Sequence, residues 1–398
     1  MKCDWEKKKI GELVDIRRGA SPRPIHKYLA KTGVPWVKIA DATSDGSRYI
    51  SKTKEYIINE GVCKSVEVEP ETLLVSNSAT PGLPKIMKIK ACVHDGWLVF
   101  SRYRGVTRDF LYYKFIYIRK MLLNQANGSV FQNLKTDIVK DFDINLPCID
   151  TQNKIVDILL KIDEKIELNN KINNNLEEQA QAIFKSWFVD FNPFNSIMPS
   201  DWFTGTIEDL AKDIVCGKTP STKNADYYGS DIPFITIPDM HGEVYNVTTE
   251  RYLSMLGAMS QSKKFLPKNS VCVSCIGTAG LVTLVSEKSQ TNQQINSIIP
   301  KYGISSYYIY MLMRTLKEAI NKFGQSGSTI VNLNKTQFSR IQVIIPSISS
   351  MSKFDEIVYP VFEKILQNQK ENLMLTSLRD TLLPKLMSGE IDVSRITI

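Results

Sequence analysis

Apolar and core-type positions step by four and three from Gln152 to about Phe188: Ile155, Leu159, Ile162, Ile166, Asn169, Asn173, Leu176, Ala180, Ile183 and Trp187. A seam of that period, held over about five heptads, predicts a long helix with one adhesive edge. The ladder returns as Phe354, Val358, Val361, Ile365, Asn368, Asn372, Leu375, Arg379, Leu382 and Leu386, with two asparagines again in register. Helices of about 36 residues would each span about 54 Å. If they pair antiparallel, Asn169 and Asn173 meet Asn368 and Asn372, and a polar layer in an apolar seam penalises register slips. The competing reading turns the asparagines to solvent and uses Leu168 and Ile172 as the edge.

Each ladder follows a segment of different pattern, and the two segments match. Asp4-Trp5 pairs with Asp201-Trp202, and Gly19-Ala20-Ser21-Pro22 with Gly217-Lys218-Thr219-Pro220. Val34-Pro35-Trp36-Val37 pairs with Ile232-Pro233-Phe234-Ile235, Tyr112-Tyr113 with Tyr307-Tyr308, and Leu146-Pro147 with Ile345-Pro346. The offset stays between about 195 and 199, so half the chain is a duplicate of the other half.

Each half reads as a short helix (Ile10 to Ile16; Ile207 to Ile214), a Gly/Ser/Thr/Pro loop and a set of β-runs. The runs are Trp36–Ile39, Leu73–Val75, Ala91–Val93 and Leu98–Phe100, against Phe234–Ile237, Val271–Ser274 and Leu281–Val285. A helix over about Phe110–Leu123 or Ser305–Phe323, a polar loop and a last strand lead into each long helix. This predicts mixed α/β (α+β) globular domains at 1–149 and 196–346, with long-helix segments at 150–195 and 347–398. Pro360 and Pro384 are expected to bend or end the second helix.

Charge adds a division of labour. The formal net charge is +8. Residues 1–150 carry about 25 Lys and Arg against 17 Asp and Glu, and 206–346 about 14 against 10. The helical segments are mildly acidic, which suggests globular parts for a polyanion and helices for protein. Seven cysteines without framework spacing point to a reducing cytoplasm, and no apolar run reaches bilayer length.

The search for catalytic chemistry is negative. Gly217-Lys218-Thr219 lacks the first glycine of a phosphate-binding loop, because Lys212 stands there. Asn192-Pro193-Phe194 lacks the second proline of an amino-methyltransferase motif and reads as linker. Cys272-Val273-Ser274-Cys275 sits in an apolar β-run and reads as buried thiols, and His26, His94 and His241 have no ligand spacing. No metal site and no enzyme activity are expected in this chain.

DNA recognition is what the polar loops suit. Arg17, Arg18, Arg23 and Lys27 surround the first Gly-Ser-Pro loop, and Lys218, Thr219, Ser221, Thr222 and Lys223 form its partner. Arg102, Tyr103, Arg104 and Arg108 make a basic and aromatic cluster in the first half only. Asn292, Gln293 and Gln294 could read adenine edges. Asn127, Ser129 and Gln132, and Gln325, Ser328 and Asn332, line a second polar loop in each half. Such groups bind phosphate or base edges, or are simply solvated.

The chain resembles the specificity (S) subunit of type I restriction–modification systems, HsdS, over essentially its whole length. The marks are Gly217-Lys218-Thr219-Pro220-Ser221, Tyr227-Tyr228, Ile232-Pro233-Phe234-Ile235, Asn292-Gln293-Gln294-Ile295-Asn296 and the closing Leu378-Arg379-Asp380-Thr381-Leu382-Leu383-Pro384-Lys385-Leu386-Met387-Ser388-Gly389-Glu390-Ile391. The first half departs from it, with Arg18-Gly19-Ala20-Ser21-Pro22 and with His94-Asp95-Gly96 where the second has Asn292-Gln293-Gln294. The resemblance implies two target-recognition domains separated by two long antiparallel helices with pseudo-twofold symmetry. Each domain would read one half of a split double-stranded DNA site, while the helices set the spacer and dock two methyltransferase subunits, with restriction subunits joining in some assemblies. S-adenosylmethionine, ATP and Mg would belong to those partners, and none to this chain. The alternatives are the specificity portion of a fused methyltransferase/nuclease and a stand-alone bipartite regulator.

Overall fold

The computed structural model describes residues 5–43, 47–125, 133–324 and 332–394. The chain divides into two compact units, one of residues 1–167 with 375–398 and one of residues 168–374. Each contains the same arrangement.

In the first unit a five-stranded sheet runs in the order Asp15–Arg18, Trp97–Ser101, Leu73–Ser76, Pro84–Met87, Tyr49–Ile50. Its pairs are antiparallel except the last, which is parallel. The second unit repeats this with Ala211–Cys216, Ile295–Pro300, Val271–Ser274, Val282–Val285 and Tyr245–Asn246, again parallel only at the last pair. A second sheet has five strands in the first unit, in the order Leu29–Ala30, Glu55–Ile57, Val34–Val37, Ala91–Val93, Val66–Val68, and three in the second, in the order Tyr252–Leu253, Tyr228–Ile235, Gln290–Thr291.

The central strands are buried on both faces, which is why they read as unbroken apolar runs rather than alternation. Leu73 and Val75 face the core under the helix Arg108–Gln125, whereas Leu74 faces a second core with Val37 and Val93. Val271 and Val273 divide from Cys272 in the same way.

Several boundaries move from the sequence-based expectations. The opening helices stop at Leu13 and Leu210, and Asp15–Arg18 and Ala211–Cys216 are edge strands. Asp209 caps the N-terminus of the second of these short helices, accepting from the Thr206 N–H at 2.8 Å and its hydroxyl at 3.0 Å. Ile39 opens the short helix Ile39–Ala42 instead of ending a strand, and Asp41 caps it by accepting from Lys38 N–H. Residues 305–323 form two helices, Ser306–Thr315 and Lys317–Gly324.

The long helices span Ile149–Phe188 and Ile348–Ser388, and each contributes its two ends to different units. Neither Pro360 nor Pro384 ends the second one. A proline inside a helix costs about 3 kcal/mol. Both prolines are exposed, and the buried Val358 and Phe362, then Leu383, Leu386 and Met387, hold the helix on its other side. Within the second unit the helices run antiparallel: Asn368 Nδ2 donates to Asn173 Oδ1 at 2.8 Å, and Asn169 Nδ2 to Asn372 Oδ1 at 2.9 Å. Leu168 is 51% exposed, so it does not form the seam. Past Phe188 the chain turns through Phe191, Asn195 and Ser196, all with positive φ.

Candidate nucleic-acid interface

In each unit three loops distant in sequence gather at one end of the five-stranded sheet. The first follows the edge strand. Gly19 lies against the turn at His94, where any Cβ would collide with the His94 carbonyl oxygen. Gly217 lies against Asn292 with the same restriction. Only glycine permits so close an approach, so these two residues seat the loop on the turn.

The second loop is that turn. Ser21 Oγ donates to Asp95 Oδ1 at 2.6 Å in the first unit, and Thr219 Oγ1 donates to Gln293 Oε1 at 2.6 Å in the second. The third lies beside it. Asn77 N–H donates to Gly96 O at 2.8 Å, and Cys275 N–H to Gln294 O at 2.8 Å. Leu134 N–H then donates to Asn77 O, and Leu333 N–H to Cys275 O. The duplication is therefore kept at the level of single hydrogen bonds.

The chemistry of the two faces differs. In the first unit Arg18 Nε donates to Asp95 O at 2.7 Å, with Arg18 and Arg23 at 4.0 and 3.5 Å from Asp95 Oδ2. The Ser21 hydrogen bond, despite partial burial, holds the Asp95 carboxyl below its ordinary range, so it is ionised at neutral pH. Burial pushes the neighbouring His94 imidazole below its usual value, and its Nδ1 accepts from Gly96 N–H at 2.6 Å, as a neutral ring does. Arg17 is exposed and donates to Glu67 O at 3.1 Å, and Lys27 is exposed.

The second face carries less charge. Lys218, Ser221, Thr222, Lys223 and Gln293 are exposed there. Asn292 is buried, and its amide is spent inside the turn, donating to Gln294 Oε1 at 3.0 Å and accepting from Gln294 N–H at 3.1 Å. Asn332 is exposed and bridges to Ile276. The expected site residues Asn127, Ser129, Gln132, Gln325 and Ser328 lie outside the described residues.

The basic cluster of the first half is not part of this face. Arg18 pairs with Leu98 and Asp15 with Ser101, so Arg102 and Arg104 lie at the opposite end of that strand pair. Both bind Asp15, at 3.3 and 2.8 Å, and the Arg104 hydrogen bond holds the Asp15 carboxyl below its usual value. Arg108 is engaged by Glu71 and Asp109, and burial pushes the Tyr103 hydroxyl up to about 12. The positive charge of this cluster is largely offset by these acids. Sequence reasoning singled out the arginines but missed Asp95 and Asn77; the common 198-residue offset of Ser21/Thr219 and Asp95/Gln293 was the available signal.

The Cys-x-x-Cys pair lies in the buried core of the second unit. Burial pushes the thiols of Cys272 and Cys275 up to about 12, so neither is a thiolate at neutral pH. Among the described residues no cluster of His, Cys, Asp and Glu could hold a metal ion, and no helix is long and apolar enough to cross a membrane.

The family described as the type I restriction modification DNA specificity domain matches the chain twice, over residues 2–178 and 199–373. The chain belongs to that family. It is a type I specificity subunit carrying the DNA specificity domain in duplicate. It is 36% identical over 340 residues to the type I restriction enzyme HindI specificity subunit of Haemophilus influenzae, covering 68% of this chain and 74% of that one. Similarity to the MjaIX specificity subunit of Methanocaldococcus jannaschii, at 27% identity, covers 99% and 95%. The fold is similar to that of the type I restriction–modification S subunit from M. genitalium, with a TM-score of 0.61 at 15% identity over 97% and 96% of the two chains. The specificity-subunit fold is thus present in both compact units.

Proposed function

We propose that this specificity subunit is a non-catalytic reader of a split, asymmetric double-stranded DNA site. The three-loop face of each unit reads one half. One observation carries the reading: the two faces share their hydrogen-bonded framework and differ in the groups they expose. A conserved scaffold with altered contact groups is what recognition of two different half-sites requires. The candidate contacts are Arg17, Arg18, Arg23 and Lys27 on one face, and Lys218, Thr219, Ser221, Thr222, Lys223, Gln293, Gln294 and Asn332 on the other. The long helices set the unread spacer and dock methyltransferase subunits, two in number. S-adenosylmethionine chemistry, base flipping and any ATP-driven step belong to partners, consistent with a cytoplasmic restriction–modification assembly.

The test is modular exchange. The chain is co-expressed with its methyltransferase subunit after residues 1–149 are replaced by those of a relative, and methylated sites are mapped across the genome. One half-site should change while the other half and the spacer stay. A change in both halves would sink the two-reader account.

A further inference from the structure

The two faces are built on one latch with opposite polarity at its free end. Ser21 and Thr219 are equivalent in the duplication, and so are Asp95 and Gln293. The sheet register agrees, since Arg18 pairs with Leu98 where Cys216 pairs with Asn296. In both units the loop hydroxyl donates to one side-chain oxygen of the turn residue. This holds that residue by one terminal atom and sets apart the other, which a ligand would meet. In the first unit that atom is Asp95 Oδ2, an acceptor; in the second it is Gln293 Nε2, a donor.

The surrounding residues change in step. An anionic side chain on a face that meets DNA is repelled by phosphate unless counter-charges accompany it. Arg18 and Arg23 stand beside Asp95 Oδ2 at 4.0 and 3.5 Å. At the positions equivalent to Arg18 and Arg23 the second unit has the uncharged Cys216 and Ser221, and a cation there, Lys264, is spent on the Cys216 carbonyl at 2.8 Å. A carboxylate serving only to tie the turn would not need these arginines, because Gln293 ties the same turn without charge.

We propose that Asp95 and Gln293 are specificity-determining residues of the two units, the first selecting a base edge that donates and the second a base edge that accepts. Asp95 Oδ2 suits the amino group of cytosine or adenine in the major groove and disfavours the N7 and O6 acceptors of guanine. Gln293 Nε2 suits purine N7, guanine O6 or thymine O4. Ser21 and Thr219 are positioning residues that act through them. This inference rests on the proposed bipartite reading and assigns one position within each half-site.

The test uses the full chain co-expressed with its methyltransferase subunits. Asp95→Asn keeps an oxygen for Ser21 and turns the outer atom from acceptor to donor, and Gln293→Glu does the reverse. Genome-wide methylation mapping should show Asp95→Asn altering base preference at one position of one half-site by about tenfold, the worth of one base-edge contact. The other half and the spacer should be untouched, and Gln293→Glu should move only the other half. Where a variant complex no longer methylates, competition binding to duplexes permuted one base pair at a time gives the preference directly. Weaker binding with an unchanged preference in both variants would overturn the inference and leave a purely structural latch. Failure of the broader reading is distinguishable, because exchange of residues 1–149 would then not move one half-site alone.

Discussion

Asn368 hydrogen-bonds Asn173 at 2.8 Å inside the seam of the long helices, with both residues at most 9% exposed. Four residues back on one helix and four on along the other, Asn169 reaches Asn372 and also Glu371, at 2.8 Å. Only one antiparallel register gives all these amides a partner, because a slip would set an amide against Ile365 or Leu176. Replacing Asn368 alone by Leu strands the Asn173 amide and should cost about 1–3 kcal/mol in urea unfolding. Replacing Asn169, Asn173, Asn368 and Asn372 together by Leu should regain that stability and loosen the register. A crystal structure of the quadruple variant with unchanged helix alignment would show that apolar packing suffices.

In the first unit the seam carries a charged pair where the equivalent positions of the second unit are the buried Ala180 and Phe362. Arg379 Nη1 donates to Asp163 Oδ1 at 3.0 Å, and Tyr113 Oη donates to Asp163 Oδ2 at 2.7 Å. Arg379→Met removes one of the two partners of the Asp163 carboxyl at a largely buried site, a loss of about 2 kcal/mol. Asp163→Asn combined with Arg379→Met should restore part of it. Denaturant unfolding of the two single variants and the double one measures the coupling, and additive losses would show the pair to be independent.

Lys114 should give the protein a measurable alkaline signature. Its ammonium is buried over the rings of Trp5, Phe110 and Tyr117 and donates to Met387 O at 2.9 Å. Burial lowers its pKa to about 8 from 10.5. Between those values the unfolded chain binds a proton that the folded one has released, so stability rises with pH through this window. Compared with Lys114→Met, the wild-type protein should gain stability from pH 8 to pH 10, read by urea unfolding at fixed ionic strength. A difference that stays constant would mean the amine titrates normally.

Lys218 and Lys223 are exposed on the second face. If they neutralise phosphates, alanine at each should lower the slope of log affinity against log salt by about 1 and weaken all duplexes alike. A loss confined to one sequence would make them base readers instead.

Much of this architecture is legible in the sequence. The duplication and the heptad seam are statements of spacing, and spacing survives in a sequence. The seam's asparagines could be paired on paper because they recur in register. Edge strands such as Asp15–Arg18 were not legible: four residues with two exposed arginines carry almost no apolar signal, and their conformation comes from pairing with Trp97–Ser101. The latch was missed for a related reason. Ser21 and Asp95 are 74 residues apart, and nothing local marks either as a partner of the other. Conversely, the Arg102–Arg108 run looked like a binding cluster because its acids, Asp15 and Glu71, are distant in sequence.

The division of the chain also orders its folding during synthesis. The second unit, residues 168–374, is contiguous, whereas the core of the first recruits Leu383, Leu386, Met387 and Val393 from the far end. As the chain emerges from the ribosome, the N-terminal sheets therefore wait with an open apolar flank while the later-made unit can close. Residues beyond 374 complete the first-made unit, so a chain cut off after residue 374 would hold one finished unit and one unfinished core.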